Sequence, residues 1–326
     1  MLKVLYIYRH SDMGYSIGRV FKPIEEKMCK YCEVDAVYMP VPNYSLKGLW
    51  KNIRAARKAV KQKHYDVVHI TGAEHYLIPF LNGYRLIVTV HDLGFYTNHP
   101  KTIKQRWKSL LFIKTLKWAD CVTFISEKSK SEALKLVTLK KTLVISDTIG
   151  TDFELYPKQI NTQKPVVLQL GTKDNKNLLR TIAALNGVSC HLRIIGPLST
   201  EQVEALKSND IEYSNVSNLT DPQIIEEYKS CDIVSLPSLY EGFGMPIIEG
   251  QAIGRAVVTS DVEPMNKVAG NSAVLVNPTD IKSIREGFIR AIENQQHYIH
   301  LGMQNVKRYR LDKITQEYYN LYQSLS

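Results

Sequence analysis

Two glutamates beside a glycine-rich turn carry the clearest chemical signal in this sequence. Glu241 and Glu249 are separated by seven residues in the stretch EGFGMPIIE, which follows an apolar strand pattern at 232–236. Pro246 suits the first turn of a helix, because its missing N–H costs nothing there. The helix is therefore predicted to begin near residue 245, and its free amides at the positive end suit hydroxyl or phosphate oxygens. These amides belong to Phe243, Gly244 and Met245.

The two carboxylates have two interpretations. Glu241 lies in the turn and Glu249 about one turn into the helix, so both can face one ligand. A carboxylate placed there can accept hydrogen bonds from paired hydroxyls, as an acidic residue does with ribose in dinucleotide folds. Alternatively, both carboxylates only favour the N-terminal end of the helix, which contributes roughly 0.3–1 kcal/mol each. The residue types alone leave both interpretations open.

A second turn supplies positive charge. The stretch LGTKDNKNLLRTI at 170–182 ends a strand at Leu170 and begins a helix near Lys176. Lysine charge and a helix dipole can stabilise a departing anion in a preorganised site without a cation. No Asp-x-Asp motif follows a strand, so no metal requirement is expected. No other cofactor is predicted.

These two turns, with SLPS before the first, resemble the retaining glycosyltransferases of the GT-B fold, in particular glycosyltransferase family 4 (glycosyl transferases group 1). The resemblance covers nearly the whole chain. It implies that Glu241 and the 243–245 amides hold the transferred sugar, Glu249 the ribose diol and Lys176 the diphosphate. Thr172 stands where the family often has arginine, so Lys173 either substitutes for it in the donor site or is a solvated loop charge.

The first half carries further candidates. His91 and Asp92 follow a strand pattern at 85–90, and the resemblance implies that His91 contacts the donor sugar, whereas a packed loop histidine is the alternative. Gly14 stands where the family has a glycine-rich loop beneath the diphosphate, but the usual paired glycines are absent and an ordinary turn glycine is the alternative. The segment 145–153 resembles the family's segment before the hinge and is interpreted as structural.

The elements that must position these residues alternate between strands and helices, which predicts an α/β fold with parallel sheets. The predicted strands are 2–8, 34–38, 66–70, 85–90, 121–125, 165–170, 191–195, 232–236 and 256–259. We expect two Rossmann-like, doubly wound domains, an acceptor-side domain at 1–163 and a donor-binding domain at 164–311, facing an interdomain cleft. The resemblance implies that an amphipathic C-terminal helix at about 312–326 packs back on the first domain.

Charge is divided unequally along the chain. The net charge is +10 over 326 residues, but residues 1–163 hold 26 Lys/Arg against 14 Asp/Glu, and residues 164–326 hold 16 against 18. Basic helical patterns at 46–63 and 101–118 include tryptophans and aliphatic residues, as helices on anionic membranes do. The alternative is that each apolar stripe packs on the sheet and the lysines are solvated. Five cysteines do not indicate a disulfide framework, so a cytoplasmic protein is expected. The basic helical patterns predict that it is peripheral on the inner face of the membrane.

The resemblance implies transfer of a hexose or N-acetylhexosamine from a nucleotide-diphosphate sugar, UDP- or GDP-linked, to a saccharide acceptor that is lipid-linked or a polysaccharide precursor. Retention of configuration and independence from metal are part of this prediction. A nucleotide-sugar epimerase of related fold and a catalytically silent relative are alternatives. A nucleic-acid-binding protein is a third alternative, suggested by the basic half. No recognised nucleic-acid motif is present, and no nucleic-acid partner is expected.

Overall fold

The computed structural model describes residues 1–11, 16–42, 44–94 and 109–325. The chain forms two compact units: unit 1 comprises Met1–Gly150 with Arg310–Ser326, and unit 2 comprises Thr151–Tyr309. The first unit therefore ends at 150 instead of 163. Residues 151–163 belong to unit 2 because they are bonded to it: Lys158 Nζ lies 2.8 Å from Asp232 Oδ1, and the Tyr156 amide donates to the Ile253 carbonyl.

Each unit contains one six-stranded sheet in which all pairings are parallel. The strands of unit 1 are β1 Lys3–Tyr8, β2 Glu33–Tyr38, β3 Val67–Ile70, β4 Leu86–Val90, β5 Cys121–Phe124 and β6 Thr142–Val144. Those of unit 2 are β7 Val166–Leu170, β8 His191–Ile195, β9 Tyr213–Val216, β10 Ile233–Leu236, β11 Ala256–Ser260 and β12 Val274–Val276. The orders are β2-β1-β3-β4-β5-β6 and β12-β11-β10-β7-β8-β9. The predicted Rossmann-like α/β fold is confirmed.

The helices lie mostly between the strands. Those that lie wholly within the described ranges are, in chain order, α1 Ser16–Met28, α2 Leu46–Ala59, α3 Glu127–Leu134, α4 Leu178–Leu185, α5 Thr200–Ser208, α6 Asp221–Ser230, α7 Met245–Ile253, α8 Met265–Ala269, α9 Ile281–Glu293, α10 Gln295–Asn305 and α11 Leu311–Gln323. Short 3₁₀ segments occur at His75–Phe80, Lys114–Trp118, Asp174–Lys176 and Val306–Tyr309. No helix within the described ranges is long and apolar enough to cross a membrane.

The last helix, α11, packs on the sheet of unit 1 through a buried polar network. The Tyr322 hydroxyl lies 2.9 Å from the Tyr6 hydroxyl and 2.7 Å from His69 Nδ1, and His69 Nε2 lies 2.8 Å from Thr89 Oγ1. Burial lowers the pKa of His69 to about 3, so the imidazole is neutral at physiological pH. Because buried polar groups need partners, this network holds the chain terminus in unit 1.

The two basic stretches fold differently from one another. In the first, α2 buries Leu49 and Ile53 against the sheet but leaves Leu46 (82% exposed) and Trp50 (60% exposed) in solvent. The alternative in which the whole apolar stripe packs on the sheet is therefore wrong for Leu46 and Trp50, because both point away from the sheet. In the second stretch, residues 101–108 lie outside the described part of the chain, residues 109–112 are α-helical, and Lys114–Trp118 forms a 3₁₀ segment.

Candidate functional site

Two loops at the carboxyl edge of the unit 2 sheet are hydrogen-bonded to each other. The loop after β7 and the loop after β10 meet where Asn175 Nδ2 donates to the Tyr240 carbonyl at 3.0 Å and the Leu239 amide donates to the Asn175 carbonyl at 2.8 Å. This junction brings Lys176 beside Glu241, with Nζ 2.6 Å from Oε1. The carboxyl edge of an open parallel sheet is where α/β proteins bind ligands, so this ion pair lies at the expected place.

The position of the Lys176 side chain depends on Gly171. Gly171 has φ +87°, and a Cβ there would lie 3.0 Å from Lys176 Cγ and 3.2 Å from Cε. Any other residue would therefore be strained and would push the lysine stem away. Behind the loop, Gln169 Nε2 donates to the Lys176 carbonyl at 3.0 Å, and Ser235 Oγ donates to Gln169 Oε1 at 2.7 Å. Side chains of two neighbouring strands thus fix the backbone of Lys176.

Asn177 joins this loop to the rest of the sheet edge. It adopts the left-handed conformation, with φ 62°, immediately before α4, and its side-chain amide donates to the carbonyls of Pro237 and Pro278 at 2.8 and 2.7 Å. Asparagine tolerates this conformation better than most residues. One side chain therefore links three loops at the carboxyl edge.

Thr172 and Lys173 do not join the Lys176–Glu241 pair. The Thr172 hydroxyl donates to the Pro197 carbonyl at 2.5 Å, and its own carbonyl accepts from Gln202 Nε2 at 2.7 Å, so the residue ties the loop to α5. Lys173 is exposed. The side chain of Thr172 is therefore committed to a protein contact, whereas that of Lys173 lies at the surface beside the site.

The turn after Glu241 presents backbone donors. The helix α7 begins at Met245, as the position of Pro246 predicts, and its N-cap is Gly244 with φ +108°. No side chain caps this end, and within the described part of the chain the amides of Phe243, Gly244 and Met245 have no hydrogen-bond acceptor. An uncapped helix N-terminus of this kind suits an anion or hydroxyl oxygens.

Glu249 lies one turn further into α7, buried at 5% exposure. The Tyr228 hydroxyl, from α6, donates to Glu249 Oε2 at 2.6 Å. The helix can approach the sheet closely because residue 250 is glycine: a Cβ there would lie 2.7 Å from Val234 Cγ2. Sequence reasoning missed Tyr228. Tyr228 lies on the buried face of α6, and a buried tyrosine hydroxyl usually needs a hydrogen-bond partner. That position was the one signal in the sequence that could have indicated such a bond.

In unit 1, His91 follows β4 at the carboxyl edge, with both ring nitrogens toward the protein. Nε2 lies 2.9 Å from the Thr71 carbonyl and Nδ1 lies 3.8 Å from Asp147 Oδ1. Asp147 is a second residue that sequence reasoning missed, because it lies in the segment interpreted as structural. Burial raises the pKa of Asp147, and His91 opposes that shift. Asp92 is exposed and accepts from the Gly94 amide, while Gly14 lies outside the described residues.

Across the described ranges, no three or more His, Cys, Asp or Glu side chains are grouped so that they could hold a metal ion. Cys32 is buried in the core of unit 1 and Cys29 is exposed, and both are free thiols.

Two doubly wound units with parallel sheets, one of them carrying a basic and acidic pair beside an uncapped helix N-terminus, define a protein of the GT-B glycosyltransferase class. Two family models match the chain: Glycosyltransferase Family 4 over residues 19–152 and Glycosyl transferases group 1 over residues 152–308. The chain belongs to glycosyltransferase family 4 and has the GT-B fold.

Several of the relatives it matches are bacterial glycosyltransferases, including mannosyltransferases named for O-antigen chains. The chain is 22% identical to O-antigen chain mannosyltransferase B of Escherichia coli over 271 residues, which cover 74% of this chain and 71% of that protein. It is 24% identical to the N,N'-diacetylbacillosaminyl-diphospho-undecaprenol alpha-1,3-N-acetylgalactosaminyltransferase of Campylobacter jejuni, covering 71% and 66%. It also matches the serotype-specific mannosyltransferase WbdA of Escherichia coli at 25% identity, but over only 29% of that protein's length.

Solved structures agree on the fold. Sucrose-phosphate synthase from Thermosynechococcus elongatus superposes with a TM-score of 0.80 at 16% identity, covering 100% of this chain and 99% of that one. HepE of Anabaena, solved in complex with UDP and glucose, has a TM-score of 0.75 at 15% identity, with coverage of 99% and 100%. At such low sequence identities the superpositions show the fold alone.

Proposed function

We propose that this glycosyltransferase moves a hexose or N-acetylhexosamine from a UDP- or GDP-linked sugar to a saccharide acceptor, either lipid-linked or a polysaccharide precursor. The observation that carries the proposal is the 2.6 Å Lys176–Glu241 ion pair beside the amides of residues 243–245. Relatives named for O-antigen mannosyl transfer and for an undecaprenol-linked acceptor support the substrate class.

The chemistry follows from the charges. Cleavage of a nucleotide-diphosphate sugar leaves negative charge on the diphosphate while positive charge grows on the sugar ring. Lys176 would exchange the Glu241 carboxylate for a phosphate oxygen, and Glu241 would then accept hydrogen bonds from sugar hydroxyls. Preorganised charges aimed at a developing anion lower the barrier without reorganisation during the reaction. This arrangement supports transfer without a metal ion.

The remaining residues take supporting roles in this proposal. The amides of Phe243, Gly244 and Met245 would bind sugar hydroxyl or phosphate oxygens, and Glu249 the ribose diol. Lys173, exposed beside the site, would add positive charge near the diphosphate, and Thr172 would contribute through the loop that it fixes. In unit 1, Gly14 and His91 would contact the donor. His91 would exchange its Thr71 or Asp147 contact for a hydrogen bond that orients the donor, and it would not attack the sugar.

The stereochemical course is part of the proposal. The acceptor hydroxyl would attack from the face that the diphosphate leaves, its proton would pass to a departing phosphate oxygen, and the product would keep the anomeric configuration of the donor. No carboxylate of the enzyme has to form a glycosyl intermediate in this course.

The surface of α2 supports membrane contact. Leu46 and Trp50 are exposed, Phe80 lies against Trp50 with ring centroids 6.4 Å apart, and the neighbouring basic residues are exposed: Lys47, Lys51, Arg54, Arg57 and Lys58. Exposed apolar groups ringed by cations suit an anionic lipid surface. We therefore propose a cytoplasmic protein that is peripheral on the inner face of the membrane, where a lipid-linked acceptor is available.

A donor screen tests the proposal. The purified protein is mixed with UDP-, GDP-, ADP- and TDP-sugars in EDTA, and thermal stabilisation and sugar release are measured. We expect one nucleotide set to stabilise the protein, and Lys176→Ala to abolish the effect. Lys164→Ala is the matched control. Lys164 lies just before β7, away from the carboxyl edge, and forms a 2.6 Å ion pair with Glu212. No stabilisation by any nucleotide sugar would contradict the proposal.

A further inference from the structure

A buried hydrogen bond links the Glu249 carboxylate to Tyr228. The Tyr228 hydroxyl donates to Glu249 Oε2 at 2.6 Å, and the tyrosine is completely buried. A hydrogen bond to a charged acceptor is shorter and stronger than one between neutral groups. A carboxylate has about four lone-pair sites, so it can accept this bond and still accept others.

The tyrosine is itself held from two sides. Its ring meets the Phe153 ring edge to face, with centroids 5.5 Å apart, and its backbone carbonyl accepts a 3.0 Å bond from Arg255 Nε. The ring and the main chain of Tyr228 are therefore both held in place, which keeps its hydroxyl oxygen beside Glu249.

One guanidinium joins the two helices that carry this bond. Arg255, which is buried, donates to the carbonyls of Tyr228 and Lys229 at the end of α6, and to those of Ile253 and Gly254 at the end of α7. The carboxyl ends of helices carry partial negative charge, so a cation stabilises both at once. Tyr228 is on α6 and Glu249 is on α7, so Arg255 fixes the spacing of donor and acceptor.

We propose that Tyr228 is a positioning residue for nucleotide recognition: its hydroxyl turns the Glu249 carboxylate toward the ribose hydroxyls of the donor. The inference rests on the proposed function, because it takes Glu249 as the ribose ligand. A tyrosine that only satisfied a buried carboxylate would affect stability alone. A positioning tyrosine also determines how strongly the protein prefers ribose over 2′-deoxyribose.

A binding cycle separates these two roles. The dissociation constants of UDP, 2′-deoxy-UDP, GDP and 2′-deoxy-GDP are measured by calorimetry for the wild type and Tyr228→Phe. For the nucleotide that binds, we expect the wild type to prefer the ribose form by about 10-fold or more, which corresponds to one hydrogen bond to a charged group. In Tyr228→Phe the preference should fall to about 2-fold or less, through weaker binding of the ribose form.

The control is Tyr309→Phe, which also removes a buried hydroxyl from unit 2. The Tyr309 hydroxyl donates to the Val268 carbonyl at 3.0 Å, so this variant should keep the wild-type ribose preference even if its melting temperature falls. Arg255→Lys serves as a second variant if Tyr228→Phe does not fold. It retains the tyrosine hydroxyl but loosens the carbonyl bonds that hold the helix ends, and an intermediate preference is expected.

The possible results lead to different conclusions. An undiminished ribose preference in Tyr228→Phe, or a wild type without any preference, overturns the positioning role and leaves the proposed function intact. Binding of neither UDP nor GDP by the wild type contradicts the proposed function itself. A smaller preference in Tyr228→Phe beside an unchanged one in Tyr309→Phe supports the inference.

Discussion

Lys176 and Glu241, 65 positions apart in the chain, form a 2.6 Å ion pair at the carboxyl edge of the unit 2 sheet. Both side chains are largely buried, at 21% and 14% exposure, so the pair is only weakly screened by solvent. Without a ligand, the site neutralises its own charges. A diphosphate entering the site would compete with the Glu241 carboxylate for Lys176. The sugar hydroxyls would then donate hydrogen bonds to the released carboxylate.

Removing the lysine charge is expected to slow transfer strongly. Lys176→Met keeps much of the stem that packs on Gly171 but removes the cation that would stabilise the leaving diphosphate. Loss of one preorganised stabilising group typically lowers kcat by about 10²–10³-fold. Steady-state transfer with the donor found in the screen measures this. Lys164→Met is the control, and a Lys176→Met enzyme within a few-fold of wild type would exclude the proposed role.

Metal removal is expected to leave activity unchanged. The anion would be stabilised by Lys176 and by the N-terminus of α7, neither of which depends on a cation. Transfer rates are compared in EDTA, in magnesium and in manganese, after dialysis of the enzyme against EDTA. If the rate fell in EDTA and manganese restored it, the metal-independent course would be wrong.

Membrane contact is predicted to depend on the exposed tip of α2. The double variant Leu46→Ser with Trp50→Ser removes apolar surface without opening the core, so folding should be unaffected. We expect the wild type to float with vesicles that contain anionic lipid at low salt, and the variant to lose most of this binding.

The matched control is Ile281→Ser in unit 2, where an isoleucine is also exposed. It should bind vesicles as the wild type does. A wild type that stayed with the soluble fraction at low salt would remove the membrane proposal, without affecting the donor site.

Glu74 in unit 1 predicts a pH dependence of stability. Both of its carboxylate oxygens are buried. Burial raises its pKa to about 6 from an ordinary 4.5, although the Tyr76 hydroxyl, the Arg9 guanidinium and the Tyr44 hydroxyl act in the opposite direction. The folded state therefore holds the proton more tightly than the unfolded state. The resulting stabilisation is present below about pH 4.5 and is lost as the pH rises through about 6.

The size of this effect follows from the shift. It corresponds to about 2 kcal/mol between pH 4.5 and pH 7. Urea unfolding of unit 1 at several pH values measures it, and Glu74→Gln should flatten the slope, whereas Glu154→Gln, at an exposed position, should not. Parallel pH profiles for the wild type and Glu74→Gln would show that this carboxyl does not titrate as the burial predicts.

The sequence predicts the central strands better than the edges. All nine predicted strands are present, but β6, β9 and β12 were missed, and each lies at the edge of its sheet. A central parallel strand is covered on both faces and reads as an apolar run. An edge strand such as Tyr213–Val216 is only partly buried, so its sequence lacks that run.

The candidate site also has parts that the sequence predicts and parts that it does not. Glu241, Glu249 and the amides between them follow from one short stretch, because their spacing and the proline are local. The bond from Tyr228 and the approach of Asp147 to His91 depend on how separate elements pack, and no local pattern encodes them. On α2, helical spacing correctly predicted a helix, but it could not decide whether Leu46 and Trp50 pack on the sheet or remain in solvent.

The most direct test of the account is to follow a labelled sugar from donor to product. The wild type is incubated in EDTA with the UDP- or GDP-sugar selected by the screen and with lipid-linked saccharides, and the product is analysed by mass spectrometry and NMR. The account predicts an acceptor extended by one sugar, with the anomeric configuration of the donor, and little product with Lys176→Met. An unextended acceptor beside an epimerised donor would indicate an epimerase, and an inverted product would contradict the proposed stereochemical course.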